Sequence, residues 1–426
     1  MPGQPAVAEK KNTALARGSI LAPSYQAPLL TDFASVNPDT PLESLNLNWR
    51  ERDLPERERT KHVHRLHPYL GKFIPQLVEV FLRKFQPRIV CDPFVGSGTT
   101  LVEANALGVA SIGCDISPFN CLLSKVKTDR YDISLLRKEI CDIISKTHIG
   151  VSRGLPLDER SQRRLEGNSE YLREWFAPRA LEQLLTFGAL IPNYTYQDLL
   201  RIVWSRAARS ARLTKHFELD FPSHPQREAY YCHKHHRICR PTEDAFQFLR
   251  RYAFDTLRRV TEFSRLRIQA RVKIMCGDSR EMIFPKFDMI LTSPPYVGLI
   301  DYHEQHRYAY ELFSLLSEPF RGVKWYYPDP RMNEPLEIGP ASAGASPSAK
   351  AEYAKGIREV FINLKRSLRR DGVAVIVVGD RYDLYPEIAD SAGFRLTQRL
   401  ERHVNRRTGR RNSHFYESIL IWRLAE

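Results

Sequence analysis

The hydrophobic positions of this chain change period as they run, and each change marks an element. Phe73, Leu77, Val80, Phe81 and Phe85 recur at intervals near 3.6 residues, which predicts a helix over residues 67–85. Ile89 and Val90 form a short apolar run before a glycine-rich turn, and a helical stretch follows over residues 99–107. Residues 110–114 are again a strand, so strand and helix alternate up to residue 127 in the manner of a parallel sheet. Residues 131–268 then read as mostly helical: Leu135, Leu136, Ile140, Ile143 and Ile144 form one stripe, and residues 174–190 and 197–211 continue the pattern. Strand patterns return at 272–275 and 287–291. A helix follows at 302–316 and another at 353–368, then an unbroken apolar strand at 373–378. Residues 394–400 and 415–422 read as an antiparallel pair. Residues 1–45 are polar and proline-rich and read as a flexible arm, 50–61 as a densely charged exposed helix, and 335–348 as a mobile loop.

Two short segments inside this frame carry chemistry. Thr292-Ser293-Pro294-Pro295-Tyr296 directly follows the apolar run Phe287, Met289, Ile290, Leu291. Two prolines fix φ and remove two backbone donors, leaving carbonyl acceptors, a serine hydroxyl and an aromatic ring. That set suits the exocyclic amine of a nucleobase. Its lone pair is delocalised into the ring, and acceptors aimed at its N–H bonds can free it while tyrosine stacks on a flipped base. The bland alternative is a proline-stiffened turn. The second segment, Asp92-Pro93-Phe94-Val95-Gly96-Ser97-Gly98-Thr99, joins a strand to a helix. Gly96 and Gly98 permit close backbone approach to a ligand, and Asp92 can accept a hydrogen bond from an ammonium group. The spacing is neither a dinucleotide fingerprint, since Leu101 stands at its third glycine position, nor a phosphate loop. Asp115, ending the next strand, stands where a ribose diol is commonly held, with Ile116 beside it.

Taken together, these motifs resemble the S-adenosylmethionine-dependent DNA amino-methyltransferases, which modify N4 of cytosine or N6 of adenine. The 92–100 segment is similar to the family's cofactor motif and 292–296 to its catalytic motif. His67-Pro68 with Lys72 is similar to a further cofactor motif, and Cys276-Gly277-Asp278 to the acidic position that meets the cofactor adenine. The resemblance implies an α/β, Rossmann-like methyltransferase sheet, mostly parallel with an antiparallel edge hairpin, built from residues 46–130 and 269–426. It implies S-adenosyl-L-methionine as cofactor and double-stranded DNA as partner, with a cognate restriction endonuclease a further possibility. Ser293 at the head of the catalytic motif leans toward cytosine N4. Adenine N6, an RNA amino-methyltransferase and a catalytically silent DNA-binding homologue are the alternatives. The helical insertion, 131–268, is the candidate target-recognition region, because Arg201, Arg206, Arg209, Arg212, Lys215 and Arg227 interleave with Trp204, Phe217, Tyr230 and Tyr231. Arg406, Arg407, Arg410 and Arg411 form a second basic cluster.

Composition agrees with this class. Lys plus Arg number 64 against 50 Asp plus Glu, a formal net charge of +14, which suits a polyanionic partner. Seven cysteines show no paired framework, there is no secretory leader pattern, and no apolar run is long enough to span a bilayer; a cytoplasmic enzyme is expected. The absence of a Pro-Cys dipeptide argues against thiolate-dependent carbon-5 methylation. Cys232, His233, His235, His236 and Cys239 cluster locally, but their spacing matches none of the common zinc fingers and only two are cysteines, so no metal is expected.

Overall fold

The computed structural model describes residues 33–49, 53–71, 73–152, 170–315, 335–404 and 415–425. Its strands are β1 (Ile89–Asp92), β2 (Ala110–Asp115), β3 (Tyr230–Cys232), β4 (Arg237–Cys239), β5 (Val272–Cys276), β6 (Phe287–Thr292), β7 (Leu368–Val378), β8 (Phe394–Val404) and β9 (Phe415–Leu424). Seven of them form one sheet in the order β5-β2-β1-β6-β7-β9-β8, parallel except for β9, which runs antiparallel to both its neighbours. This is the α/β sheet with an antiparallel edge pair that the hydrophobic pattern anticipates.

Period-2 alternation sorts the side chains onto two faces. Cys91, Ile290, Ala374, Ile376, Leu420 and Trp422 pack on one side under the helices Pro347–Lys365 and Tyr385–Ala392. Val90, Met289, Leu291, Val375, Ile419 and Ile421 pack on the other with the helix Pro75–Phe85. Both faces are covered, which is why residues 373–378 of β7 read as one continuous apolar run. The same second face takes Val36, Leu42, Leu45 and Leu47, all buried. The described part of the expected arm, from residue 33 onward, is therefore part of the core: its few apolar residues are spaced to reach the sheet.

Other boundaries also move for local reasons. The helix expected over 67–85 begins only at Pro75, because Ile74 is held extended (ψ 144°) ahead of the proline. Among the described residues of the charged stretch 50–61, Glu56–Arg59 is the helical part. The helix expected at 302–316 is two short ones, Tyr302–Gln305 and Arg307–Phe313, broken at His306. The expected mobile loop, 335–348, is anchored: Glu337 accepts from the backbone N–H groups of Tyr302 and His303. The insertion is helical in Ile133–Ser152, Glu170–Trp175, Pro178–Leu190, Gln197–Ala211 and Phe246–Ser264, but it also contains the β3–β4 hairpin, too short to carry a hydrophobic period. Its helices share one hydrophobic cluster with Phe119, Leu122 and Val126 of the helix Pro118–Thr128 and with Tyr308 and Leu312. Among the described residues no helix is long and apolar enough to cross a membrane.

Candidate active site

Strand order reverses about β1 and β6, and the crevice beyond the carboxyl ends of such strands is where open α/β sheets bind ligands. Pairing of Cys91 with Ile290 brings Asp92 beside Thr292, and pairing of Asp115 with Cys276 brings Asp115 near Asp278. Beyond β1 the turn 93–98 folds back over β2, with Val95 N–H on Cys114 O at 2.9 Å and Gly98 N–H on Val95 O at 2.8 Å. Gly96 has φ +47°, and a Cβ there would lie 2.8 Å from Tyr69 Oη, so the position demands glycine twice over. Asp115 organises this turn. It accepts from Gly96 N–H (2.8 Å), Ser117 N–H (2.9 Å) and Asn120 Nδ2 (3.1 Å), while burial pulls its pKa upward against these donors.

An open cleft of about 810 Å³, counting space shared with solvent, lies over these strand ends. Of the residues expected from sequence, Pro93, Phe94, Gly96, Ser97, Thr99, Asp115, Ile116, Asp278, Ser293 and Pro295 line it. His67, Pro68, Asp92, Gly98, Pro294 and Tyr296 do not, and Lys72 lies outside the described residues. Asp92 is 1% exposed, and its carboxylate accepts from Thr292 Oγ1 (2.6 Å), Thr100 Oγ1 (2.7 Å) and Phe94 N–H (3.1 Å). Burial raises its pKa to about 6 despite those donors. Asp92 thus ties β1 to β6 and to the helix Thr99–Ala106, where the sequence suggested a group offered to a ligand. His67 is fully buried against Phe119 and His306, with Nδ1 2.8 Å from Pro68 O, and burial holds its pKa well below the ordinary value. Gly98 instead makes room for Ser124, to whose Oγ a Cβ would come within 2.8 Å. Asp278 does reach the cleft, while paired with Arg280, whose Nε lies 2.9 Å from both carboxylate oxygens.

Several lining residues escape sequence reasoning. Tyr69 stacks on Tyr302 with ring centroids 5.8 Å apart and accepts from Asn120 Nδ2 at 3.3 Å. Glu337 enters from the proline- and glycine-rich stretch, and its carboxylate meets the His303 ring as well as the two backbone N–H groups. A signal for Asn120 existed: Ser117-Pro118 after Asp115 is a helix-start signature, and Ser117 does cap that helix. None existed for Glu337, whose neighbours have no period. The cleft suits S-adenosylmethionine. Three carboxylates (Asp115, Asp278, Glu337) answer a cationic ligand, while Phe94, Ile116 and Ile338 offer apolar walls. Ser97 Oγ and Asn120 Oδ1 are buried with no protein partner, leaving two polar atoms for a ligand to satisfy.

A smaller concavity of about 470 Å³, again open to solvent, adjoins the catalytic motif on its far side. Tyr296, Val297, Leu299, Tyr353, Asp380, Tyr382 and Tyr385 line it. Ser293–Tyr296 therefore contributes to the walls of both spaces. Tyr296 Oη donates to Glu417 Oε1 at 2.9 Å, and Glu417 in turn pairs with Arg402 at 2.9 Å. Burial first, then the Glu417 charge, lifts the Tyr296 pKa well above its ordinary value and keeps the phenol protonated. Tyr353 Oη donates to the Pro295 carbonyl at 2.8 Å and bonds Tyr385 Oη at 2.7 Å.

The basic and aromatic residues of the insertion are mostly turned inward. Arg201, Arg206, Arg209 and Lys215 are paired with Asp198, Asp255, Asp220 and Glu218. Arg212 and Arg227 donate to the carbonyls of Leu219 and Glu174, and Trp204 and Tyr230 are buried. Of the set Phe217, Arg227 and Tyr231 stand exposed. The cluster Arg406, Arg407, Arg410 and Arg411 lies outside the described residues.

Comparison with known proteins adds the family. A family model described as "DNA methylase" matches residues 46–126, spanning the 92–100 motif. The type II methyltransferase M.MjaII of Methanocaldococcus jannaschii is 37% identical over an alignment covering 88% of this chain and 82% of that protein. M.MvaI of Kocuria varians is 41% identical over 19% of each chain, and M.BsoBI of Geobacillus stearothermophilus is 24% identical over 60% of this chain and 53% of that protein. With identity at this level along nearly the whole length, and with a cleft fit for the methyl donor at the strand ends, the chain belongs to the S-adenosylmethionine-dependent type II DNA methyltransferases of the N4/N6 amino family.

Proposed function

We propose that this enzyme methylates the exocyclic N4 amine of cytosine in duplex DNA, as the modifying member of a restriction–modification pair. The observation that carries the reading is the position of Ser293-Pro294-Pro295-Tyr296 between the two concavities. The larger space would take the methyl donor and the smaller a base turned out of the duplex. S-adenosylmethionine supplies an electrophilic sulfonium methyl. Asp115 would hold its ribose hydroxyls and Asp278 its adenine amine, with Glu337 adding negative charge to the cleft.

The chain's own work is positioning and electrostatics. Flipping the base costs a few kcal/mol of stacking and pairing. Ser293 Oγ and the Pro294 carbonyl would accept from the amine N–H bonds and free the nitrogen lone pair. The Pro295 carbonyl is already committed to Tyr353. Tyr296, tethered by Glu417, offers its ring to the base. No covalent enzyme intermediate is required. Ser293 supports cytosine over adenine through the resemblance of its motif to the serine-headed form.

The test is methyl transfer from labelled S-adenosylmethionine to unmodified duplex DNA, followed by nucleoside mass spectrometry. N4-methylcytosine is expected. N6-methyladenine would retain the family and overturn the choice of base. Label appearing only in RNA would overturn the substrate.

A further inference from the structure

Between the helices Gln197–Ala211 and Phe246–Ser264 the chain runs for more than thirty residues with little regular structure beyond the β3–β4 hairpin. Leu213 and Ala245 at its ends join the core of the helices, and the cluster confined to the stretch itself consists of Tyr230, Cys232 and Cys239. A two-stranded hairpin is marginal in water without further support, and small elements lacking a core are commonly stapled by metal or disulfide.

The fold supplies what the local spacing lacks. His216, sixteen positions before Cys232, joins Cys232, His235 and Cys239, and one ligand atom from each lies within 4.8 Å of all the others. His235 Nδ1 stands 3.6 Å from Cys232 Sγ and 3.5 Å from Cys239 Sγ. A tetrahedral zinc with bonds of about 2.05 Å to nitrogen and about 2.3 Å to sulfur places such atoms about 3.6 Å apart. The hairpin register sets this up. Cys232 pairs with Arg237 and Tyr230 with Cys239, so both thiols fall within one short ladder. The turn between them, closed by the His235 N–H bond to Cys232 O and by His236 at φ +51°, carries His235 between the thiols. His216 Nδ1 lies 2.9 Å from Tyr230 Oη, which also accepts the His216 backbone N–H. That contact leaves Nε2 as the coordinating atom and fixes the ring, the usual second partner of a metal-bound histidine.

We propose that His216, Cys232, His235 and Cys239 bind one zinc ion in a closed structural site. Four protein ligands leave no open position, so the metal organises the hairpin and takes no part in methyl transfer. Its platform is tied to the rest of the insertion by the Leu213 N–H bond to Trp175 O at 2.7 Å, and to the catalytic body by the Arg212 guanidinium, 4.6 Å over the Tyr308 ring.

The test is metal content of the full-length protein, purified without chelator and dialysed. About one equivalent of zinc per chain is expected. Cys232→Ser and His216→Ala should each weaken retention by more than about tenfold, whereas His233→Ala, on the same hairpin but outside the cluster, keeps it. Should the ligand variants fail to fold, cobalt exchanged into the wild-type protein should give the intense visible bands of a tetrahedral ion and a thiolate charge-transfer band. Folded protein without zinc, a Cys232–Cys239 disulfide, zinc content unchanged in both ligand variants, or a cobalt spectrum of octahedral type would each overturn the site.

Discussion

Asp92 shows where residue-level reading succeeds and stops. Its place at the end of β1 is legible in the sequence, but its role depends on which strand lies beside it. Only the pairing of β1 with β6, separated by about two hundred positions in sequence, reveals that Thr292 takes up one carboxylate oxygen. Asp92→Asn should therefore lower the free energy of unfolding by about 1–3 kcal/mol in urea titrations without ligand, since a buried acceptor is replaced in part by a donor. Unchanged stability with weakened S-adenosylmethionine binding would restore the ligand role. Ser293→Ala should instead leave cofactor affinity within about twofold and lower kcat by about 100-fold or more, the loss typical of a group acting on the transition state. Calorimetric titration alongside single-turnover assays separates those two behaviours.

At the scale of elements, period carried the reading where an element was long and uninterrupted. The helix Gln197–Ala211 coincides with its sequence expectation, and the antiparallel pair was found, though short at its ends. Failures trace to particular residues: Pro75, which forces Ile74 out of the helix, and His306, whose backbone interrupts one. The β3–β4 hairpin was invisible because three residues cannot display a period. The turn after β1 yields a sharper expectation. Gly96→Ala must drive a methyl against Tyr69 Oη at positive φ, so S-adenosylmethionine affinity should fall by more than about tenfold while the sheet still folds. Calorimetric titration and circular dichroism check the two halves. For the hairpin, zinc removal should open rapid proteolysis within residues 212–245 and leave the sheet fragments resistant.

Across the whole molecule, charge and buried histidines set the response to solution conditions. With a net +14, log affinity for duplex DNA should fall linearly with log salt, measurable by fluorescence anisotropy from low to physiological salt. His62 and His306 are desolvated, with pKa values lowered to about 3, so they stay neutral in the fold while the unfolded chain takes up protons below 6.5. Their contribution to stability is complete above that value and declines as pH falls toward 3. Asp92 works in the opposite sense: its folded pKa of about 6 exceeds the unfolded 3.8, so its contribution rises as pH falls between them. His67 adds to the two histidines and Asp115 to Asp92; the histidines carry the larger shifts, and acidification below 6.5 should destabilise the protein. His306→Gln should flatten that dependence in thermal melts between pH 6.5 and 4. The sheet order has a consequence in time as well as space. β9 is synthesised after every other strand yet lies inside the sheet, covering the edge of β7 and presenting Glu417 to Tyr296. A chain interrupted before Phe415 exposes an apolar strand edge and leaves Tyr296 untethered. A product that stops before Phe415 should therefore aggregate instead of folding, which expression of the truncated chain and its solubility would check.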